Sequence, residues 1–175
     1  MSQRILAVDD NEIVGWTLAA RLWVAGYDVE TVRSAGEALA ALREGDYALI
    51  LMDLEMPDTD GLEAAALIRE AGLCPDAPIV FLTASEDFAD VQRAYGLGAR
   101  GYLTKAFSPA LIRNITRLIE APDVVWIDDH HCVSREASAP TASGGPRGGA
   151  ALTLVSDRSG AAWPVPAQAQ AQAHA

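Results

Sequence analysis

The sequence contains very little lysine and very little cysteine. Of its 13 basic residues Lys105 is the only lysine, and the others are arginines. The two cysteines, Cys74 and Cys132, lie far apart without a pairing pattern, which fits inert thiols in a reducing compartment. Lysine is a compact charge on a flexible stem, whereas arginine is a planar fork. The single retained lysine therefore indicates a site that must reach a small anion.

Long apolar runs and an excess of positive charge are also missing. No stretch is long enough to cross a bilayer and the N-terminus lacks a signal-peptide layout, so we expect a cytoplasmic protein without membrane partners. The formal net charge is -11, which argues against nucleic-acid partners, because nonspecific binding depends on basic patches. A chain of 175 residues, 50% of them hydrophobic, can form one full domain and an appendage.

Strand-like and helix-like segments alternate regularly over the first 121 residues. Short apolar runs typical of buried strands are followed by segments of helical character, most of which end at glycines. Five such units predict an α/β domain with a parallel sheet covered by helices on both faces. We predict strands at 5–8, 29–32, 47–52, 78–82 and 101–104, and helices at 11–25, 34–45, 62–71, 87–97 and 109–120.

Polar residues follow the ends of four predicted strands. Asp9 and Asp10 follow the first strand, Asp53 the third, Thr83 the fourth and Lys105 the fifth. In open α/β sheets ligands bind where the strand order reverses, which in the order 2-1-3-4-5 lies between strands one and three. The three aspartates should converge there, although two charges about 4 Å apart repel by roughly 4 kcal/mol. Either one carboxylate stays protonated or a cation is bound, and oxygen ligands favour Mg²⁺.

Lys105 and Thr83 lie across this predicted pocket, where they could hold phosphoryl oxygens, with Asp53 as the carboxylate nucleophile. Each residue taken alone has an ordinary explanation. Paired acids at a strand end are usually solvated, and a single lysine is most often a surface charge. It is their occurrence together that favours a phosphoryl-transfer site.

Four motifs resemble the receiver (CheY-like) domain of two-component response regulators. They are Val-Asp-Asp-Asn at 8–11, the run from Asp53 to Gly61, Thr83-Ala84, and Tyr-Leu-Thr-Lys at 102–105. The resemblance covers about residues 3–121. It implies a flavodoxin-like, doubly wound five-stranded parallel sheet, forming a receiver domain at 1–121, with a largely irregular tail at 122–175. It also implies a phosphoprotein of phosphorelay signal transduction.

Carried over by position, the resemblance implies a role for each residue of the acidic pocket. Asp53 would be the phosphoacceptor. Asp10 would bind Mg²⁺ directly and Asp9 through water, while Glu55 would contribute its backbone carbonyl. Thr83 would sense the phosphoryl group.

Two more roles follow, together with one departure from the family pattern. Lys105 would pair with the phosphoryl group, and Tyr102 would be the switch aromatic that rotates. A proline usually follows the lysine in the family, often with a cis peptide bond, whereas this chain has Ala106. A non-proline cis bond costs about 2.5–4 kcal/mol, so we expect a trans or strained bond here.

The implied phosphoryl donor is a histidine kinase or a histidine phosphotransferase, and the implied output is a downstream protein target. A homodimer through the fourth helix, fifth strand and fifth helix would fit the same resemblance. Loss of the phosphoryl group would be self-catalysed, so we do not expect an enzyme that acts on an outside substrate. On the first helix, Trp16 and Trp23 lie off the predicted core stripe of Ile13, Leu18, Leu22 and Ala25. They either dock onto the donor or pack against neighbouring helices or the tail.

The tail shows no recognisable effector domain and no recognition helix, so we do not expect direct DNA binding. We predict a strand at 124–127, a polar turn at 128–132, a linker at 138–150, a hairpin from 152–155 and 161–165, and disorder at 167–175.

Three functions stay open at this stage. The leading one is a single-domain response regulator, and the second is a constitutive interaction adaptor whose tail is the output. The third is a flavodoxin-like FMN carrier. It is disfavoured because residues 9–12 are acidic where a phosphate-binding loop would offer donors.

Overall fold

Five strands alternate with five helices between residues 4 and 120. The protein is described here by a computed structural model that covers residues 3–84, 88–121, 124–128, 131–135 and 152–156. The strands are β1 (Arg4–Val8), β2 (Asp28–Val32), β3 (Leu49–Asp53), β4 (Ile79–Thr83) and β5 (Gly101–Thr104). The helices are α1 (Glu12–Val24), α2 (Ala35–Glu44), α3 (Gly61–Glu70), α4 (Phe88–Gly96) and α5 (Pro109–Glu120).

These five strands are parallel and lie in the order β2-β1-β3-β4-β5, which confirms the predicted doubly wound sheet. Every residue of β3 and of β4 is buried. This explains why both strands appear in the sequence as continuous apolar runs, since helices cover both faces of the sheet. The strand order reverses between β1 and β3, and their carboxyl ends therefore lie side by side.

The apolar core has two layers, one on each face of the sheet. Leu6 of β1 packs in the layer with Ile68 of α3, whereas its neighbour Ile5 packs in the other layer with Leu22 of α1 and Ile115 of α5. Successive residues of a strand point to opposite faces, so each central strand anchors both layers. The sheet that carries the site is thereby held from both sides.

Side-chain caps begin the helices where the sequence indicates them. Asn11 accepts hydrogen bonds from the backbone of the first turn of α1, and Asp60 does the same for α3. Ser34 accepts from the Glu37 N–H at 3.2 Å, as a capping box requires. These caps fix where α1 and α3 start, which is next to the acidic residues that follow β1 and β3.

The core stripe predicted for α1 is wrong at two of its four positions. Leu18 and Leu22 are buried, but Ile13 is 71% exposed and Ala25 is also exposed. Ile13 lies three residues before Trp16, so both share one face of the helix. That face is directed to solvent, and Gly15 takes a place in the buried stripe instead.

Three further strands extend the sheet beyond β5. They are β6 (Val124–Asp128), β7 (His131–Arg135) and β8 (Leu152–Ser156), in the order β5-β6-β7-β8. β6 is parallel to β5, whereas β7 and β8 continue antiparallel. The polar turn predicted at 128–132 is therefore too long, because Ile127 pairs with Cys132 across β6 and β7. The predicted linker at 138–150, the second hairpin strand at 161–165 and the predicted disorder at 167–175 fall on residues that are not described.

Within the described ranges, no helix combines the length and the apolar character that a bilayer-spanning segment needs.

Candidate functional site

The carboxyl ends of β1, β3, β4 and β5 place the predicted site residues at one edge of the sheet. Asp9 and Asp10 follow β1, while Asp53 and Thr83 are the last residues of β3 and β4. Lys105 directly follows β5. The order β1-β3-β4-β5 makes these ends neighbours. The topology therefore gathers residues that are up to 96 positions apart in the sequence.

Three carboxylates converge at this edge, as the sequence predicted. One ligand oxygen from each of Asp9, Asp10 and Asp53 lies within 4.8 Å of the others. Asp9 and Asp53 are only 5% and 4% exposed, whereas Asp10 is exposed. Two carboxylates of the cluster are therefore buried, and the third is accessible to solvent.

Lys105 bridges the two buried carboxylates. Its Nζ lies 2.7 Å from Asp9 Oδ2 and 2.7 Å from Asp53 Oδ2. When all are ionised, three carboxylates and one ammonium leave an excess of two negative charges in a partly buried cluster. Such an excess is unfavourable at low dielectric and favours binding of positive charge.

Backbone hydrogen bonds fix the orientation of both buried carboxylates. The Asn11 N–H donates to Asp9 Oδ1 at 3.0 Å, and the Glu55 N–H donates to Asp53 Oδ1 at 3.2 Å. Each aspartate therefore turns one oxygen toward a backbone donor and the other toward Lys105. Both oxygens of Asp53 are therefore held in place.

The protonation of Asp53 and Lys105 follows from this arrangement. Burial raises the pKa of Asp53, and the charge of Asp9 adds to this rise, while the hydrogen bond and charge of Lys105 act in the opposite direction. For Lys105, burial acts to lower the pKa, but the hydrogen bonds and charges of Asp53 and Asp9 outweigh it, so the pKa lies above its ordinary value. Lys105 is therefore an ammonium at neutral pH, and ionised Asp53 lacks full compensation.

Thr83, Tyr102 and Glu55 surround this cluster at different depths. Thr83 is fully buried, and its carbonyl accepts a 2.8 Å hydrogen bond from the Lys105 N–H. Tyr102 of β5 is 4% exposed and packs in the core layer below α2, α3 and α4, three residues before Lys105. Glu55 is exposed and touches the site through its backbone. The carbonyl role of Glu55 and the switch roles of Thr83 and Tyr102 stay predictions.

The loop after Lys105 departs from the family pattern. No cis peptide bond occurs in the described residues, so the bond between Lys105 and Ala106 is trans, as expected. The next residue, Phe107, has φ 45°, a left-handed conformation that is an outlier for a bulky side chain. Phe107 is partly buried against the core layer of α1 and α5. Packing thus holds the loop in a conformation that isolated phenylalanine avoids.

Gly61, the last residue of the Asp53–Gly61 motif, supports the site through a close backbone approach that the sequence did not predict. A Cβ on this residue would lie 2.0 Å from the carbonyl oxygen of Asp53, and its N–H donates to Leu54 O at 2.9 Å. Only glycine allows the start of α3 to come this close to the end of β3. The signal was present as Asp60-Gly61, a helix cap followed by a glycine directly after the acidic loop.

The donor set of the pocket fits a hard divalent cation. It offers carboxylate oxygens without nitrogen or sulfur, which is the ligand type that Mg²⁺ prefers. The excess of two negative charges equals the charge of one such ion. Asp9, Asp10 and Asp53 are the residues that would hold it.

Comparison with known proteins agrees with this geometry. The family model described as the response regulator receiver domain matches residues 5–117. The chain belongs to the response regulator receiver family. Among solved structures, this receiver is similar to the chemotaxis protein CheY4 of Vibrio cholerae, with 31% identity and a TM-score of 0.64. That match covers 67% of this chain and 98% of CheY4. A CheY-like receiver protein of Methanospirillum hungatei matches with 26% identity and a TM-score of 0.64, covering 69% and 95%.

Curated relatives of this response regulator are longer than it is. The probable transcriptional regulator ycf27 of Porphyridium aerugineum is 34% identical over 122 residues, which are 67% of this chain and 50% of the relative. The transcriptional regulatory protein DltR of Streptococcus agalactiae is 34% identical over 148 residues, covering 77% and 65%. The chain thus spans about half to two thirds of the length of these relatives.

Proposed function

We propose that this receiver accepts a phosphoryl group on Asp53 from a phosphohistidine of a histidine kinase or a histidine phosphotransferase. The observation that carries the proposal is the buried Asp53 carboxylate, oriented by the Glu55 N–H and bonded to Lys105 at 2.7 Å within an excess of negative charge. A buried carboxylate of this kind is a poised nucleophile once positive charge enters the pocket.

The chemistry needs positioning and charge neutralisation more than proton transfer. A carboxylate oxygen of Asp53 attacks phosphorus, the P–N bond to histidine breaks, and the imidazole nitrogen leaves with its electron pair and takes up a proton. Lys105 gives up a carboxylate contact and pairs with a phosphoryl oxygen. Mg²⁺, when bound by the three aspartates, supplies two positive charges that offset the developing negative charge. Hydrolysis of the acyl phosphate is turnover of the protein's own modification, so we do not propose an enzyme.

The donor would dock on α1 beside the pocket. Five residues of this helix form an apolar stripe: Ile13, Trp16, Ala20, Trp23 and Val24. Trp16 is 61% exposed and Trp23 is 74% exposed, so neither ring is buried against a neighbouring helix. Exposed tryptophans are favoured anchors of interfaces.

The two tryptophans provide a matched test of docking. Trp16 lies within two turns of Asn11, whereas Trp23 lies seven residues further, about 10 Å along the helix axis. We expect Trp16→Ala to slow phosphotransfer from the kinase at least about tenfold, which equals about 1.4 kcal/mol, while phosphorylation by acetyl phosphate stays unchanged. Trp23→Ala should have the smaller effect. Equal kinase-dependent rates in Trp16→Ala and the wild type would contradict docking at this position.

We propose that this single-domain regulator passes its signal on through contacts with other proteins. The surface most directly involved would be that of β5, repacked on phosphorylation. The competing candidate is a constitutive adaptor that uses the tail, and the observation that favours it is the extension of the sheet by β6, β7 and β8. A homodimer through α4, β5 and α5 would have to include or displace β6, which lies along β5.

The phosphoacceptor role is tested by intact mass after incubation with acetyl phosphate and Mg²⁺. We expect one phosphate-sized increment in the wild type and none in Asp53→Ala or without Mg²⁺. A folded wild-type protein that gains no phosphate and forms no beryllofluoride complex would refute the role and leave the adaptor.

A further inference from the structure

The edge of β5 is occupied by a strand from the chain's own tail. β6 runs parallel to β5, with Gly101 opposite Ile127 and Tyr102 opposite Asp128. β7 and β8 then pair in turn on the far side of β6. In a receiver of five strands β5 would be the outer strand, and its backbone N–H and C=O groups would be open to a partner strand.

The contact between β5 and β6, here called the β5–β6 seam, is the shortest strand pairing in the described residues. It has two register pairs, Gly101 with Ile127 and Tyr102 with Asp128. The other parallel pairings have four or five, and β7 with β8 has five. A cooperative structure opens first where fewest interactions are lost. The meander of β6, β7 and β8 is attached to the sheet through this seam, so its separation breaks no other strand pairing.

The seam is joined to the phosphorylation site by β5 itself. Tyr102 is a seam residue, Thr104 pairs with Thr83 of β4, and Lys105 follows immediately with its contacts to Asp9 and Asp53. Tyr102 and Lys105 are three residues apart, about 10 Å in an extended strand. A phosphoryl group on Asp53 must draw Lys105 away from a carboxylate oxygen, and this acts on the end of a strand only four residues long.

We propose that the β5 edge is an interaction surface whose resident occupant is Val124–Asp128 of the same chain, and that phosphorylation of Asp53 loosens this strand. This inference rests on the proposed phosphoacceptor role. It explains in physical terms how a signal at the carboxyl ends of the strands can reach a surface on the side of the sheet.

Hydrogen exchange measured by mass spectrometry on the full chain tests the proposal. The chain is incubated with Mg²⁺ and with or without acetyl phosphate, and intact mass on the same samples reports phosphate on Asp53. We expect at least about fivefold faster exchange in peptides covering 101–102 and 124–128 after phosphorylation, with β1 and β3 unchanged. Asp53→Asn in the same reagents should show no change.

The Ile127→Pro variant tests the β5–β6 seam in the absence of phosphorylation. Ile127→Pro removes an N–H from β6, and proline is not tolerated within a paired strand. We expect fast exchange at 101–102 in this variant before any acetyl phosphate is added, and the same phosphate increment as the wild type afterwards.

Each outcome decides one claim. Phosphate on Asp53 with unchanged exchange at the seam, or slower exchange there, overturns the coupling and leaves the phosphoacceptor role intact. Slow exchange at 101–102 in Ile127→Pro overturns the idea that β6 covers this edge. Absence of the phosphate increment overturns the phosphoacceptor role and the coupling with it.

Discussion

Asp53→Asn should make the fold more stable in the absence of divalent metal, although it removes the proposed reactive group. Ionised Asp53 lies within 4.8 Å of two other carboxylates. At an effective dielectric of 20 each such pair repels by about 3.5 kcal/mol, or about 7 kcal/mol for both. At the same effective dielectric, the attraction between Asp53 and Lys105 at 2.7 Å offsets about 6 kcal/mol of this repulsion.

Desolvation of a carboxylate that is 4% exposed adds a further penalty. Asparagine keeps one oxygen and can serve either the Glu55 N–H or Lys105 but not both, which costs about 1 kcal/mol. The net expectation is a gain of about 1–3 kcal/mol in the free energy of unfolding for Asp53→Asn in chelator at about pH 7.

Urea unfolding with and without Mg²⁺ measures this difference. Mg²⁺ at about 100 times its dissociation constant should stabilise the wild type by about 2.7 kcal/mol, and Asp53→Asn much less. The pKa of Asp53 is raised in the folded state by burial, so protonation of Asp53 adds to the stability of the wild type as pH falls from neutral through that pKa. The difference in chelator should therefore shrink toward about pH 4. A variant less stable than the wild type in chelator, or equally stabilised by Mg²⁺, would refute the electrostatic reasoning.

Two further predictions concern stability. Gly61→Ala should destabilise the fold by about 1–3 kcal/mol or more in urea unfolding, because the new Cβ would meet the Asp53 carbonyl oxygen at 2.0 Å. The matched control Gly96→Ala, with nothing within 4 Å, should be neutral or up to about 1 kcal/mol more stable; equal effects would contradict the steric argument. Tyr47→Phe loses a 2.7 Å hydrogen bond to Glu30, which should cost about 1–2 kcal/mol. The pKa of Tyr47 is raised to about 12, chiefly by burial, so this stability is present below about pH 10 and is lost as pH rises through about 12. A difference that stays constant over this pH range in thermal unfolding would count against the bond.

The sheet and the site were predictable for the same reason. Buried parallel strands have to be continuous apolar runs, and the polar residues that follow Val8, Met52 and Thr104 mark where those runs end. Once the strand order is known, the polar residues after β1, β3 and β5 can meet at one place only.

Other features depend on contacts that a sequence pattern does not contain. The exposure of Ile13 is different, because the helix period does contain it: at about 100° per residue Ile13 lies on the face opposite the buried Leu22. The role of Gly61 depends on how closely α3 approaches β3. The addition of β6 to β5 joins residues 26 positions apart through two pairs. Such a short pairing leaves no periodic signal.

The solitary lysine makes the site unusually simple to observe. A sample labelled with ¹⁵N only in lysine would give a single backbone amide signal, and that amide donates to the Thr83 carbonyl at 2.8 Å. Side-chain labelling would likewise report one ammonium, held between Asp9 and Asp53. Metal titration, phosphorylation and partner binding could each be followed as movement of one resonance, without assignment of any other residue.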